Sequence, residues 1–423
     1  MRTKTRPDVL VVGAGPVGLA TALTLNKRRI PVEVLERDDR PGTHSYALAL
    51  HPRSVAMLEE WGALGNLQQE ALRVERLVFC DCREPRYTLD MGKVAGQKGG
   101  LLVVGQNNLE AALLDALEKA GVAIKWNYRL SGLQQDDNGV EVQLERLSEG
   151  MSGYAMARLE WQVDKEIKEA SGYVVGADGH LSTVRRRVGI EFPKVAPTQS
   201  FAVFEFKTDY GHVNEARIVF GEEGTSVMWP LPGGYCRWAF ELEESAAEAY
   251  SRDKDRLFIQ VGNQGYHALE SSMLEEMLRS RAPWFNGSLG DFRWRMMVRF
   301  EKRLASQFGR GRVWLAGDAG HLTGPVGMQS MNIGMNEGQM LANSLADIIE
   351  GWADSSILEA YNADREKEWR ALLGLSTVLS GGPEMDGFIS TCLDRLPGCI
   401  PASVDSLPDY AAALGAELTH LHA

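Results

Sequence analysis

Residues 8–12 form an unbroken apolar run of strand length, and a glycine-rich turn follows at once. A short continuous run fits a strand covered on both faces, as in a parallel sheet. Residues 19–28 then place apolar side chains at helical spacing, and a second apolar run at 32–35 closes on Glu36-Arg37. The order strand, turn, helix, strand predicts a βαβ unit. Helical periodicity returns at 54–61 and at 108–120, where Leu109, Ala112, Leu113, Ala116 and Leu117 share a face and Gly121 marks the stop. Residues 122–147 alternate as a β-hairpin turning at Asp136-Asp137-Asn138-Gly139, because Asn-Gly accepts the positive φ of a tight turn. A polar extension of that sheet is expected over 148–170, then a buried strand at 173–175.

From 198 to 242 the texture changes. Short aromatic-rich runs at 201–206, 216–220, 226–231 and 236–242 are separated by Gly and Pro turns, which predicts an antiparallel sheet. Residues 244–280 read as helical. Residues 312–316 return to a buried strand, and 332–351 to a long helix. The stretch 381–410 is rich in Gly, Pro and Ser and carries no clear period.

Composition narrows the classes. With 423 residues, 44% of them hydrophobic, there is material for a large core. A formal charge of −12 argues against a nucleic-acid binder, since no basic face would neutralise phosphates. Arg185-Arg186-Arg187 is a short basic run, read as a solvated helical turn or as a phosphate contact. No apolar run reaches the roughly 18 to 20 residues of a membrane span, and the basic start at residues 1–7 leads into a strand, not a signal peptide. Five scattered cysteines suit free thiols in a reducing cytoplasm, and Cys80-x-Cys82 lacks a second metal-ligand pair. No metal site is expected.

Three glycine-marked strand ends carry the chemistry. The first is Gly13-Ala14-Gly15-Pro16-Val17-Gly18. Gly13 permits the turn, Gly15 lets backbone approach a pyrophosphate, and Gly18 lets helix pack on strand. The helix N-terminus offers N–H groups to phosphate. Glu36, at the end of the second strand, is placed to accept both hydroxyls of an adenosine ribose. This turn alone does not choose between FAD and NAD. The second is Gly176-Ala177-Asp178-Gly179, and the third is Gly317-Asp318-Ala319-Gly320-His321 followed by Gly324 to Asn332.

Together these motifs resemble the group A flavin monooxygenases, the p-hydroxybenzoate hydroxylase-like family, over roughly residues 8–375. Residues 176–185 are similar to that family's Asp-Gly motif, with Ser182 and Arg185 in place, and residues 312–321 to its Gly-Asp motif. Gln106, ahead of Glu110, is similar to a family glutamine that touches the flavin. The resemblance implies FAD on Gly13, Gly15, Pro16, Val17, Gly18, Glu36 and Arg37, with Tyr46, Leu130 and Asp178 also at the cofactor. It gives Gly317 and Asp318 the ribityl chain. It gives Pro325, Gly327, Met328, Gln329, Ser330, Met331 and Asn332 the flavin ring, with helix amides facing its pyrimidine edge. Two departures stand out. Met328 and Ser330 replace family glycines, and Tyr46-Ala47 stands where many members carry Arg-Ala.

The implied fold is α/β, a Rossmann-like FAD-binding domain with an inserted antiparallel-sheet substrate domain. The boundaries expected are 1–75, 101–195 and 298–375 for the first, 76–100 and 196–297 for the second, and a tail over 376–423. The implied activity is hydroxylation of an aromatic or polyketide-like small molecule by O2 and NADPH or NADH, through a C4a-hydroperoxyflavin. With one dinucleotide fingerprint, the nicotinamide is expected in a surface groove near Asp178 and Arg185. Residues 228–232 are candidates to line the substrate cavity, and Tyr210, His212, Arg217 and Tyr235 are polar groups available to orient a phenol. His51 and His321 read as hydrogen-bonded loop histidines before catalysts, and no catalytic side chain is identified. An epoxidase, reductase or halogenase of the same fold remains an alternative, as does a redox-inert flavin-binding protein.

Overall fold

Four parallel strands, Ile124–Lys125, Val32–Leu35, Val9–Val12 and Tyr173–Gly176, lie side by side, and Val313–Leu315 continues the sheet in parallel. A sixth, short strand, Gly309–Arg310, closes the edge antiparallel. The computed structural model describes residues 7–39, 47–94, 99–152, 158–211, 214–247, 258–261 and 264–420.

The apolar continuity of these strands has a direct cause. Val9, Val11, Val34, Val175 and Trp314 face one core, built with the helices Pro16–Lys27, Gln106–Lys119, Gln329–Ile349 and Ser356–Leu372. Leu10, Val12, Leu35, Val174 and Leu315 face another, built with the sheet of Tyr128–Asp136, Gly139–Ser152 and Arg158–Ser171. Side chains alternate, but both sides are covered, so the strand reads as unbroken. The hairpin turn falls at 136–139 as expected. Ile124–Lys125 instead joins the parallel sheet, because Asn127 in the left-handed region (φ 63°) redirects the chain before the hairpin begins.

The second sheet has seven strands in the order Gly290–Phe300, Gln199–Lys207, Tyr235–Leu242, Gly224–Leu231, Glu215–Gly221, Arg76–Cys80, Pro85–Asp90. All its pairings are antiparallel except Glu215–Gly221 with Arg76–Cys80. One face carries Phe204, Phe206, Trp238 and Phe240 and packs on the helix Ser271–Arg281. The other carries Phe201, Ile218, Phe220, Trp229 and Leu231 and packs on Val326, Leu396, Ile400 and Tyr410.

The helical reading of 244–280 holds only in part. Phe258–Val261 and Gln264–His267 form a hairpin, and Ala268 bridges to Met296 at the edge of the large sheet, whose open edge favours pairing over helix. The stretch beyond 375 is ordered as well. Thr377–Gly381 pairs antiparallel with Ala416–His420, and Ile389, Leu396, Ile400, Leu407 and Tyr410 are buried between them and the large sheet. Sequence periodicity missed this because its helices, Gly387–Ser390 and Leu407–Ala413, are too short to show one. Among the described residues no helix is long and apolar enough to cross a membrane.

Candidate cofactor and substrate site

The three glycine motifs, up to 300 residues apart, end adjacent strands and touch one another. Gly13 has φ 108° and sits so close to Ala177 that a Cβ there would overlap the Ala177 carbonyl oxygen. A Cβ on Gly18 would overlap the carbonyl of Gly13. Ala177 N–H donates to Val12 (2.8 Å) and Ala316 N–H to Gly176 (3.1 Å), which fixes the order of the three turns. Val17 packs between Gly317 and Gly334, where added methyls would lie 2.8 and 2.9 Å from its Cγ2.

Gly15 differs from its neighbours. A Cβ built there meets nothing within 4 Å, and the helix that starts at Pro16 has no side-chain cap. Open space thus lies over an uncapped helix N-terminus, the arrangement a pyrophosphate needs. Glu36 Oε2 accepts from Ala14 N–H at 2.7 Å, which places its carboxylate beside that space. Gln106 donates to Glu110 at 2.7 Å, and burial raises the Glu110 carboxyl above its usual range against that bond. At the third motif Asp318 is half-buried and accepts from the Ser330 hydroxyl (2.6 Å), while its second oxygen has no partner among the described residues. The helix Gln329–Ile349 likewise starts without a side-chain cap. Open backbone at one end, a carboxylate beside it and an acceptor at the other end fit a dinucleotide flavin.

Behind the Gly-Asp turn is a fully buried carboxylate. Glu337 Oε2 accepts from Gly317 N–H (2.8 Å) and from His321 Nε2 (2.9 Å), and Oε1 accepts from Trp369 Nε1 (2.7 Å). His321 stacks on Trp369 with ring centroids 3.6 Å apart. Burial alone would push the Glu337 carboxyl up, but His321, Arg365 and the Trp369 N–H outweigh it and hold it low. The signal for Glu337 was a charge on the helix's apolar face, flanked by Ile333 and Leu341.

Several expected residues have other duties. The Asn332 amide donates to Ala49 and Met328 carbonyls, and its oxygen accepts from His51 N–H and Ser54, so its side chain is a clamp between elements. Gln329 donates to the carbonyls of Pro397 (2.8 Å) and Ile400 (3.1 Å). Leu130 is buried in the core beneath the parallel sheet. The Asp178 carboxylate accepts from Ser182 and from the N–H groups of Thr183 and Val184, capping the helix Thr183–Arg187. Arg185 donates to the carbonyls of Ala319 and His180 and lies 3.9 Å over the Phe192 ring. It is buried and braced, so its guanidinium is engaged within the fold. Arg37 is exposed, Met331 and Pro325 are half-buried in the loop and first turn, and Tyr46 lies outside the described residues.

Met328 adopts the left-handed conformation (φ 50°, ψ 37°), which explains why glycine is the family habit there. On the sheet facing this loop, Trp229 and Leu231 point inward with Val326. Arg237, directly opposite Trp229, donates to buried Glu205 at 2.6 Å, a polar spot that sequence reading passed over. Arg217 pairs with Glu215 and lies opposite Met228, on the face away from the loop, and Tyr210 accompanies it. Strand alternation puts the buried Arg217 on the face that packs against the helix Ser271–Arg281, not on the face toward the loop. Tyr235 stays on the inward face under Arg293, and His212 lies outside the described residues.

Residues 6–375 match the family model described as an FAD binding domain. The chain is 28% identical over 371 residues to 6-methylpretetramide 4-monooxygenase of Streptomyces rimosus, covering 85% of this chain and 59% of that protein. It is 27% identical over 385 residues to para-nitrophenol 4-monooxygenase of a Pseudomonas species (strain WBC-3), covering 86% and 84%. The chain thus spans about three fifths of the first relative's length. The crystal structure of p-nitrophenol 4-monooxygenase from Pseudomonas putida DLL-E4 superposes with a TM-score of 0.70 at 23% identity, covering 97% of this chain and 98% of that one.

Proposed function

The chain belongs to the group A flavin-dependent monooxygenases, the family of the FAD binding domain, and from that premise we propose that it hydroxylates an aromatic or polyketide-like small molecule with O2 and NADH or NADPH. The observation that carries this reading is the convergence of the three turns: an uncrowded backbone at Gly15 over an uncapped helix N-terminus, the Glu36 carboxylate beside it, and the Asp318 carboxylate at the third turn. FAD, when bound, supplies the two-electron chemistry and the activation of O2.

The chain's own residues do the rest. The Pro16 helix and Glu36 would hold the adenosine end of FAD, Asp318 would accept from the ribityl chain, and the first-turn amides of the Gln329 helix would stabilise negative charge on the reduced flavin. The inward face of the large sheet, with Trp229, Leu231 and the Arg237–Glu205 pair, roofs the substrate space and excludes water. Similarity to monooxygenases of 6-methylpretetramide, anhydrotetracycline and para-nitrophenol supports a polyketide-like or phenolic substrate. The segments 1–75, 101–195 and 298–375 act as the FAD-binding domain, and 76–100 with 196–297 as the substrate domain. A reducing cytoplasm suits the five free thiols, of which burial pushes Cys80 and Cys399 up to about 12 and raises Cys236 as well.

Anaerobic mixing of the purified yellow protein with NADH or NADPH, with and without candidate phenols, tests the proposal. Bleaching of the flavin, then oxygen uptake matched by hydroxylated product, is expected. A yellow protein that neither nucleotide bleaches would favour a redox-inert flavoprotein, and product formed by epoxidation or halogenation would replace hydroxylation.

A further inference from the structure

The loop before the long helix is gripped from outside the segment that matches the family. That match ends at 375, yet residues 396–402 return to the loop and bind it. Gly327 N–H donates to Gly398 (3.1 Å), and the Gln329 amide donates to Pro397 (2.8 Å) and Ile400 (3.1 Å). The approach is close: a methyl on Gly327 would stand 2.7 Å from the Ile400 oxygen and 3.1 Å from that of Gly398. From the other side His51 Nε2 donates to the Gly327 carbonyl (3.3 Å).

The strap is itself tied at both ends. Arg395 donates to Thr225 Oγ1 (2.7 Å) on the large sheet, and Val404 N–H donates to Glu368 (3.0 Å) on the helix Ser356–Leu372. Between these anchors Leu396 and Ile400 are fully buried. Gln329 is 1% exposed, so its two bonds are shielded from water; their loss would take the side-chain donor from the buried Pro397 carbonyl, while Ile400 would keep the N–H of Ala402. The loop needs this support. Met328 holds a left-handed backbone that a side chain resists, and such strain persists only when surroundings fix it.

We propose that Gln329 is a positioning residue and that residues 396–402 are the strap through which it sets the first-turn amides of the long helix against FAD. The inference rests on the flavin reading of this loop. Gln329 acts through the strap and not by side-chain contact with the cofactor. Because the strap holds the loop and the loop holds FAD, the two are coupled, and coupling between sites is reciprocal. FAD binding therefore tightens the strap, and loosening the strap weakens FAD.

Hydrogen exchange followed by mass spectrometry on the full chain, with and without saturating FAD, reads the coupling directly. In wild type, FAD is expected to slow exchange of the amides in 396–402. Gln329→Met keeps the volume and removes the side-chain donor of both bonds, and Gly327→Ala keeps the Gln329 amide while crowding the strap carbonyls at 2.7 and 3.1 Å and the Gln329 side chain at 3.3 Å. Each is expected to raise the FAD dissociation constant about tenfold, to speed exchange over 396–402 and to alter the shape of the flavin's visible band. Glu36→Gln is the comparison, weakening FAD at its other end with strap exchange in the cofactor-free protein unchanged. Wild type that binds FAD without protecting the strap overturns the inference and leaves the flavin reading intact. So does Gln329→Met that binds FAD as wild type while the strap exchanges faster. Wild type that takes up no FAD overturns both. The wild-type comparison stands even if a variant fails to fold.

Discussion

Burial holds the His51 imidazole down at about 4, although its bond to the Gly327 carbonyl pulls the other way. In the unfolded chain the same group titrates near 6.5. Between those values the unfolded state binds a proton that the folded state does not, so stability is complete above about 6.5 and falls as pH drops toward 4. The loss over this window is expected to be roughly 3 kcal/mol. His51→Gln retains a donor but cannot be protonated, and its urea midpoint should fall less steeply between pH 6.5 and 4. An equal slope in both proteins would assign the acid sensitivity to other groups. His51 was legible as a hydrogen-bonded loop histidine. Its partner was not, because Gly327 lies 276 residues away.

At the scale of elements, the long helix Gln329–Ile349 joins the site to the core. Gly334 and Gly338 let it approach the fingerprint helix, where added methyls would meet Val17 Cγ2 at 2.9 Å and the Val17 carbonyl oxygen at 2.9 Å. Glu337, on the same face, secures the Gly-Asp turn through Gly317 N–H. Glu337→Ala would leave His321, Trp369 and Gly317 donors buried without an acceptor. Its unfolding free energy is expected to drop by about 3–5 kcal/mol in chemical denaturation, with FAD retention falling alongside. A loss below about 1 kcal/mol would mean that water or a neighbouring group replaces the carboxylate. The period placed the helix start at 332, three residues late, since Met328 and Gln329 give no pattern; Gln329 is held by the strap and the Met328 carbonyl by Asn332.

At the scale of the whole molecule, FAD would touch three turns that belong to distant segments, so it should stabilise all of them together. A ligand at 100 times its dissociation constant adds about 2.7 kcal/mol. Removing FAD is therefore expected to lower the melting temperature by several degrees, with the loss reversed on adding FAD back, as differential scanning fluorimetry would show. An unchanged melting temperature would mean that the three turns do not hold the cofactor. The same scale separates the two kinds of information in this chain. The βαβ unit, the Asp-Gly and Gly-Asp strand ends and the aromatic strands were written locally, in glycine placement and hydrophobic period. Those signals are short-range because they reflect backbone conformation and one buried face.

What the chain alone determined was thus the fold class, the cofactor class and the strand-end positions of Glu36 and Asp318. Only tertiary structure decided which side chains brace the turns. Arg185 closes on Ala319 and His180, Asn332 clamps Ala49, and Gln329 reaches the segment after 375. Each choice depends on a carbonyl brought near by packing, and hydrogen bonds between residues far apart in the chain leave no periodic trace in a sequence.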